Sequence, residues 1–226
     1  MKEKFKIKKI YKNIYLIEEK WFKEHANLYL VKDKNFNLLI DCGLGIYNIK
    51  KFLNNKGFKK IKAVLTHSHF DHAFGLKHFA PKEIFITNKM RNNLNKKELL
   101  GLEYFDQHDL DASITLKAKD SLLGKVLPKN SKKVGIGFAN FKIIKTPGHT
   151  DDSVIYYDKK QKIIITGDAL YDGKIYNNFT NSNNKKFKKT LQNIAKLDFK
   201  LVLPGHGKIM NKKEALKVLN KWERRL

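Results

Sequence analysis

Cysteine, proline and tryptophan are scarce in this chain of 226 residues, which has one cysteine, four prolines and two tryptophans. A lone cysteine, Cys42, excludes an internal disulfide and a zinc site built from several thiolates. Any metal here must therefore be held by histidine and carboxylate. The sequence also lacks an apolar run long enough to span a membrane, and its lysine-rich start lacks the apolar core of a secretory signal. We expect a cytoplasmic protein without membrane contact.

Acidic residues are few as well, with 22 aspartates and glutamates against 47 lysines and arginines and a formal net charge of +25. Such an excess is typical of proteins that bind nucleic acid. The lysines, however, are spread along the whole chain and accompany many asparagines and isoleucines, which indicates a compositional bias. We interpret the charge as a solvated surface that attracts anionic small molecules, with nucleic acid as the alternative partner. The oligomeric state stays undefined.

Short apolar runs rich in isoleucine, valine and aromatic residues predict strands throughout the chain. These runs are NIYLIE, NLYLV, NLLI, KAVL, EIFIT, FKIIK, SVIYYD, KIIIT and KLVL. Helical spacing of apolar residues marks three further stretches, IYNIKKFLNNKG, KKFKKTLQNIAKL and KKEALKVLNKWERRL. We predict a mixed α/β single domain over residues 1–226. An insertion at about residues 88–134 is either an ordinary connection or a cap that shapes the substrate site.

The stretch THSHFDH, from Thr66 to His72, carries three histidines and an aspartate directly after a predicted strand. On an extended backbone His67 and His69 would point to the same face and could hold one cation. Asp71 and His72 follow where the chain must turn, which directs them toward a second position. One loop can thus supply ligands to two metals.

Three more candidate ligands also follow predicted strands, namely His149, Asp168 and His206. Zinc takes about four ligands, and imidazole nitrogens and carboxylate oxygens are among its preferred donors. The predicted ligand sets are His67, His69 and His149 for the first metal and Asp71, His72 and His206 for the second. Asp168 can bridge the two metals, because a carboxylate has two oxygens. Iron and manganese accept the same donors, so the metal's identity stays open.

Four motifs together resemble the metallo-β-lactamase superfamily: H-x-H-x-D-H at His67–His72, TPGHT at Thr146–Thr150, GDALYDG at Gly167–Gly173 and PGHG at Pro204–Gly207. The resemblance covers nearly the whole chain. It implies an αββα sandwich of two mixed β-sheets flanked by helices, with a dinuclear site at the sheet edge. Asp41, in IDCG, resembles the aspartate that supports the family's site without binding metal.

Differences within the superfamily narrow the expected chemistry. The main class of true β-lactamases uses a cysteine ligand, whereas the one cysteine here, Cys42, lies in IDCG beside Asp41, so we do not expect a β-lactamase of that class. Flavodiiron relatives have glutamate where His69 stands, so His69 favours hydrolytic zinc. Glyoxalase II is similar through TPGHT, but from the short stretch after His206 we do not expect its helical substrate domain or its mode of glutathione recognition. Acyl-homoserine lactonases share HFDHA and a tyrosine three positions after the bridging aspartate. By that resemblance Tyr171 polarises the substrate carbonyl; the other interpretation is a packed aromatic whose hydroxyl bonds to the backbone.

These observations predict a hydrolase with two zinc ions that cleaves an ester, lactone or thioester of a small molecule. The nucleophile would be a hydroxide between the metals, since zinc lowers the pKa of bound water to about 7. Asp71 would help to move the proton as well as bind metal, and Tyr171 would stabilise the oxyanion. The alternative function is a metal-dependent phosphodiesterase or nuclease of the same fold, which the basic charge would serve.

Overall fold

The computed structural model describes residues 4–19, 25–102, 132–133, 137–138 and 140–226. The chain divides into two units, Met1–Lys133 and Val134–Leu226. Much of the predicted insertion at 88–134 lies outside the described residues, so its role stays a prediction. The strands and helices of each unit form where its sequence has the matching pattern of apolar residues.

The first unit is built on a five-stranded sheet with the order β1-β2-β3-β4-β5. Neighbouring strands are antiparallel from β1 to β4, and β4 pairs with β5 in parallel. A further short parallel pair joins β6 to β7. The strands of this unit are β1 Phe5–Tyr11, β2 Ile14–Glu19, β3 Asn27–Lys32, β4 Asn37–Ile40, β5 Ile61–Val64, β6 Phe85–Ile86 and β7 Lys132–Lys133.

Two helices of the first unit begin at polar capping residues. Helix α1 (Ile49–Asn55) begins after Asn48, whose side chain accepts a hydrogen bond from the Lys51 amide. The remaining helical segments are α2 Phe70–Ala73, α3 Asn88–Leu94 and the 3₁₀ turns Phe74–His78, Pro81–Glu83 and Lys97–Leu99. Helix α2 is a single turn that directly follows the predicted metal-binding histidines, so it sets the direction in which the next side chains point.

The second unit is built on a six-stranded sheet with the order β13-β12-β11-β10-β9-β8. Only β11 and β12 are parallel neighbours among its described strands. Trp222 and Phe187 are fully buried in a core between the sheet and two amphipathic helices. The elements are β8 Gly137–Phe138, β9 Phe141–Lys145, β10 Val154–Asp158, β11 Ile163–Gly167, α4 Asn184–Ala195, β12 Leu201–Pro204, β13 Met210–Asn211 and α5 Lys212–Glu223.

Each apolar run quoted above overlaps a strand, and each of the three helical patterns overlaps a helix, with ends that differ by up to three residues. The sequence interpretation missed β1, where lysines interrupt the apolar residues of FKIKKIY. This strand lies at the sheet's edge, and exposed lysines there block pairing with another chain. No helix in the described ranges is long and apolar enough to cross a membrane.

Candidate metal centre

Two parallel strands bring the first group of predicted site residues to one edge of the five-stranded sheet. Asp41 follows the last residue of β4, and Thr66 and His67 follow the end of β5. Because β4 and β5 run in the same direction, their carboxyl ends meet at that edge. Helix α2 then turns the chain, so that Asp71 and His72 return toward the same place.

Asp41 accepts hydrogen bonds from three groups of this loop. Its Oδ1 lies 2.7 Å from the Thr66 amide nitrogen, and its Oδ2 lies 2.8 Å from the Thr66 hydroxyl and 2.8 Å from His72 Nδ1. The side chain is 1% exposed, and the backbone φ is +62°, a region that residues other than glycine seldom adopt. A strained backbone and a buried carboxylate with several donors indicate a position built to hold its neighbours in place.

These bonds decide which nitrogen of each imidazole can bind a metal. A carboxylate can only accept, so His72 Nδ1 carries the proton and Nε2 keeps the lone pair. The Thr66 hydroxyl donates to Asp41, and it therefore accepts from His67 Nδ1, which lies 3.1 Å away. His67 is thereby held in the same tautomer as His72. Through Thr66, one buried aspartate orients two predicted ligands.

The predicted ligands of the first unit form one buried group. The ring centroid of His67 lies 4.7 Å from that of His69 and 4.2 Å from that of His72. A ligand atom of His67 lies within 4.8 Å of one on His69, and the same limit holds for Asp71 with His72. Asp71 Oδ2 is 3.4 Å from His72 Nε2. All four side chains are buried, as ligands of an enclosed ion would be.

Glycine at position 101 allows the chain to pass directly over His69. A Cβ placed on Gly101 would lie 3.0 Å from His69 Cδ2, and the φ of +70° also favours glycine. The neighbouring Leu100 carbonyl accepts a hydrogen bond from the Phe70 amide at 3.0 Å. This segment therefore covers the imidazole from one side.

The second unit assembles the other three predicted ligands in the same way. Strands β9, β11 and β12 run in one direction, and His149, Asp168 and His206 each follow one of them. Asp168 Oδ2 lies 3.4 Å from His149 Nε2 and 3.4 Å from His206 Nε2. His149 Nδ1 lies 2.6 Å from the Tyr176 carbonyl and donates to it, so its Nε2 keeps the lone pair. The Asp168 carboxylate thus lies between two imidazoles, and its predicted role as a bridge between two metals stays a prediction.

Tyr171 is buried beside this second group. Its hydroxyl donates to the Lys174 backbone carbonyl at 2.6 Å, and its ring packs edge-on against Trp222 with centroids 4.8 Å apart. The ring also lies 5.7 Å from that of His206. To polarise a substrate carbonyl, the hydroxyl would have to leave Lys174. The predicted electrophile role stays a prediction, and this geometry favours the packed role.

Sequence reasoning missed Thr66, Tyr176 and Glu19. Thr66 could have been noticed, because it directly precedes the histidine cluster, whereas a backbone carbonyl such as that of Tyr176 leaves no sequence signal. Glu19 is 1% exposed at the end of β2. Burial raises its pKa from 4.5 to about 7, the Leu44 amide opposes the rise, and the charge of Asp71 adds to it.

Three other titratable side chains, Cys42, Asp152 and His78, have surroundings that fit a role in the fold and not in metal binding. Burial raises the pKa of the Cys42 thiol well above its usual value, which keeps it protonated and unsuited to bind a metal. Asp152 accepts a hydrogen bond from the Thr150 hydroxyl at 2.6 Å, as in a turn. His78, which matches no motif, donates to the Gly45 carbonyl at 3.0 Å. His108 lies outside the described residues.

The donor set fits a divalent metal. Five imidazoles, three in the first unit and two in the second, each group with a nearby carboxylate and all but His206 buried, are the kind of ligands that zinc and similar ions take in proteins. Carboxylate, hydroxyl and carbonyl groups orient three of the imidazoles. Such a set defines a metal-binding enzyme site.

The chain belongs to the metallo-β-lactamase superfamily, whose family model matches residues 22–206. It is a metal-dependent hydrolase of that superfamily. The likeness to solved structures confirms the predicted fold class, the αββα sandwich. The chain resembles the DIM-1 metallo-β-lactamase structure with a TM-score of 0.71, at 18% identity over 99% of this chain and 98% of that one.

Two curated relatives are similar in sequence. The acyl-coenzyme A thioesterase MBLAC2 of Gallus gallus is 26% identical over 234 aligned residues, which cover 90% of this chain and 81% of the relative. The cytoplasmic hydroxyacylglutathione hydrolase of Saccharomyces cerevisiae is 32% identical over 112 residues, which cover 48% of this chain and 34% of the relative. The first likeness extends over nearly the full chain, and the second over about half of it.

Proposed function

We propose that this protein hydrolyses thioesters or related carboxylic esters of small molecules with two bound zinc ions. The observation that carries the proposal is the orientation of the ligands. Asp41 and Thr66 hold His67 and His72 in the tautomer that leaves Nε2 as the ligand atom, and the Tyr176 carbonyl does the same for His149. Fixing tautomers in this way is typical of metal-binding histidines.

Each unit supplies part of the donor set. The first metal would be held by the imidazoles of His67, His69 and His149. The second would be held by Asp71, His72 and His206, and both metals would share Asp168. A bound divalent ion supplies a nucleophilic water at neutral pH and polarises the carbonyl. Asp71, whose Oδ2 lies 3.4 Å from His72 Nε2, would take the proton that this water loses and give it to the departing thiolate or alkoxide.

The thioester preference follows from the relatives and from charge. One relative whose match covers 90% of this chain is named as an acyl-coenzyme A thioesterase, and another is named as a hydroxyacylglutathione hydrolase. Coenzyme A thioesters carry several phosphate charges, and a chain with a net charge of +25 attracts such anions. An anionic acyl thioester is therefore the first substrate to test. Cytoplasmic residence, predicted from the sequence, agrees with such a substrate.

The test is a hydrolysis panel with an acyl-coenzyme A thioester, a lactone and a phosphodiester, measured on zinc-loaded and chelator-treated protein. The proposal expects the thioester or the lactone to be cleaved in a zinc-dependent way. Cleavage of the phosphodiester alone would support the nuclease alternative instead, and cleavage that survives metal removal would contradict the proposal. The variant Asp158→Asn serves as a control and should keep zinc-dependent hydrolysis. Asp158 is as buried as Asp41, but its described hydrogen bonds reach only Gln161.

A further inference from the structure

Glu19 is a buried acid that the proposed chemistry does not use. Its Oε2 accepts a hydrogen bond from the Leu44 amide at 2.9 Å, and its Oε1 makes no hydrogen bond within the described part of the chain. The carboxyl group lies flat against Gly43, since a Cβ there would be 2.5 Å from Oε2 and 2.8 Å from Cδ. Within the described part of the chain, this buried carboxyl oxygen without a donor is costly, so the position of Glu19 needs an explanation.

The backbone that Glu19 holds is the loop that follows Asp41. This loop is joined to the metal-binding segment by two backbone bonds, from the Cys42 amide to the His72 carbonyl at 2.7 Å and from the Gly75 amide to the Gly43 carbonyl at 3.0 Å. A Cβ on Gly75 would overlap the Cys42 carbonyl, so the two segments are in close contact. A shift at residues 43–44 would therefore be passed to both Asp41 and His72.

We infer that Glu19 is a positioning residue of the metal site. Through Leu44 and Gly43 it fixes the loop of residues 41–45, and the loop places the Asp41 carboxylate against His72 and Thr66. The role depends on its acceptor oxygen and its shape rather than on a negative charge. This inference rests on the proposed metal site, and it goes beyond the seven predicted ligands because Glu19 itself binds no metal.

Glu19→Met and Glu19→Gln separate the acceptor from the shape. Methionine fills a similar volume but leaves the Leu44 amide without its acceptor, whereas glutamine keeps an acceptor oxygen and never ionises. Zinc dissociation constants would be measured by competition with a chromogenic chelator. We expect about 10- to 100-fold weaker binding of one zinc in Glu19→Met, as for other residues that orient ligands, and less than about twofold change in Glu19→Gln.

Coupling to Asp41 distinguishes positioning from general destabilisation. If Glu19 acts through Asp41, the double variant Glu19→Met/Asp41→Ala should bind zinc about as weakly as Asp41→Ala alone. The effect of Glu19→Met would then already be contained in the loss of Asp41. Hydrogen exchange at the Thr66 amide should quicken in Glu19→Met and not in Glu19→Gln. Wild-type zinc affinity in Glu19→Met, or a tenfold loss in Glu19→Gln, would overturn the inference. Failure of the proposed function is recognised separately, because wild-type protein would then bind no zinc.

Discussion

Replacing Asp41 by asparagine should weaken the binding of one metal while leaving the fold intact. The amide keeps a carbonyl oxygen for the Thr66 amide, but its NH₂ group then faces His72 Nδ1, which now donates to a carboxylate 2.8 Å away. Two donors cannot bond to each other, so His72 must move its proton to Nε2 and accept through Nδ1. The proton then occupies the nitrogen that the metal needs.

The size of the effect follows from known cases. Losing a residue that orients a metal ligand typically weakens metal affinity by about 10- to 100-fold, or about 1.4 to 2.8 kcal/mol. Stability should fall by about 1 to 3 kcal/mol, because Oδ2, which accepts from both the Thr66 hydroxyl and His72 Nδ1 in this buried site, is replaced by a donor. Asp41→Ala should do more damage, since it leaves Thr66 and His72 with buried donors that have lost their acceptor.

The assay is a zinc titration of metal-depleted protein against a competing chelator, with thermal unfolding recorded on the same samples. Asp158→Asn serves as the control, because it makes the same change at another buried aspartate. We expect Asp41→Asn to weaken most the zinc site that contains His72, whose Nδ1 bonds to Asp41 directly, and Asp158→Asn to keep both sites. If Asp41→Asn binds both zinc ions as tightly as wild type, the tautomer argument is wrong.

Three further predictions concern single side chains. His149→Ala and Asp168→Ala should each lose metal and hydrolysis together in metal analysis and rate assays; retained hydrolysis in either would exclude its ligand role. Tyr171→Phe should change turnover by less than about threefold and lower stability by about 1 kcal/mol, because the hydroxyl bonds to Lys174; a tenfold fall in turnover would restore the electrophile role. Glu19 has a raised pKa, so its stabilising contribution is complete below pH 4.5 and lost as pH rises through about 7. As the pH rises from 4.5 to about 7, the free energy of unfolding of wild type should therefore fall by up to about 3 kcal/mol relative to that of Glu19→Gln, at 1.36 kcal/mol per pKa unit. Urea unfolding measures this difference, and the same pH dependence in both proteins would contradict the prediction.

Much of the fold was predictable because its strands are apolar runs closed by glycine, proline or a polar ligand. The run KIIIT became β11, and the ligand Asp168 follows it directly. Strand β1 was not predicted, because lysines at an exposed edge interrupt the apolar alternation by which strands are recognised. Pattern therefore located the buried strands better than the exposed edge.

The candidate site was predictable where its residues are close together in sequence or carry a motif. The histidine cluster at 67–72 fits this description, and Thr66 is its immediate neighbour. Glu19 belongs to no motif, and its partner Leu44 lies 25 residues away in the sequence. Nothing in the sequence distinguishes it from other acidic residues in strands. The partner of the Tyr171 hydroxyl depends on a local backbone turn at Lys174, which residue types alone do not specify. Contacts of this kind need the three-dimensional structure.

The central claim, a two-metal hydrolase of thioesters or related esters, is tested most directly by metal analysis and hydrolysis on one purified sample. The account predicts about two metal ions per chain and cleavage of an acyl thioester or lactone that is lost with chelation and restored by zinc. Protein that takes up no metal, or that cleaves these substrates equally well without it, would contradict the account.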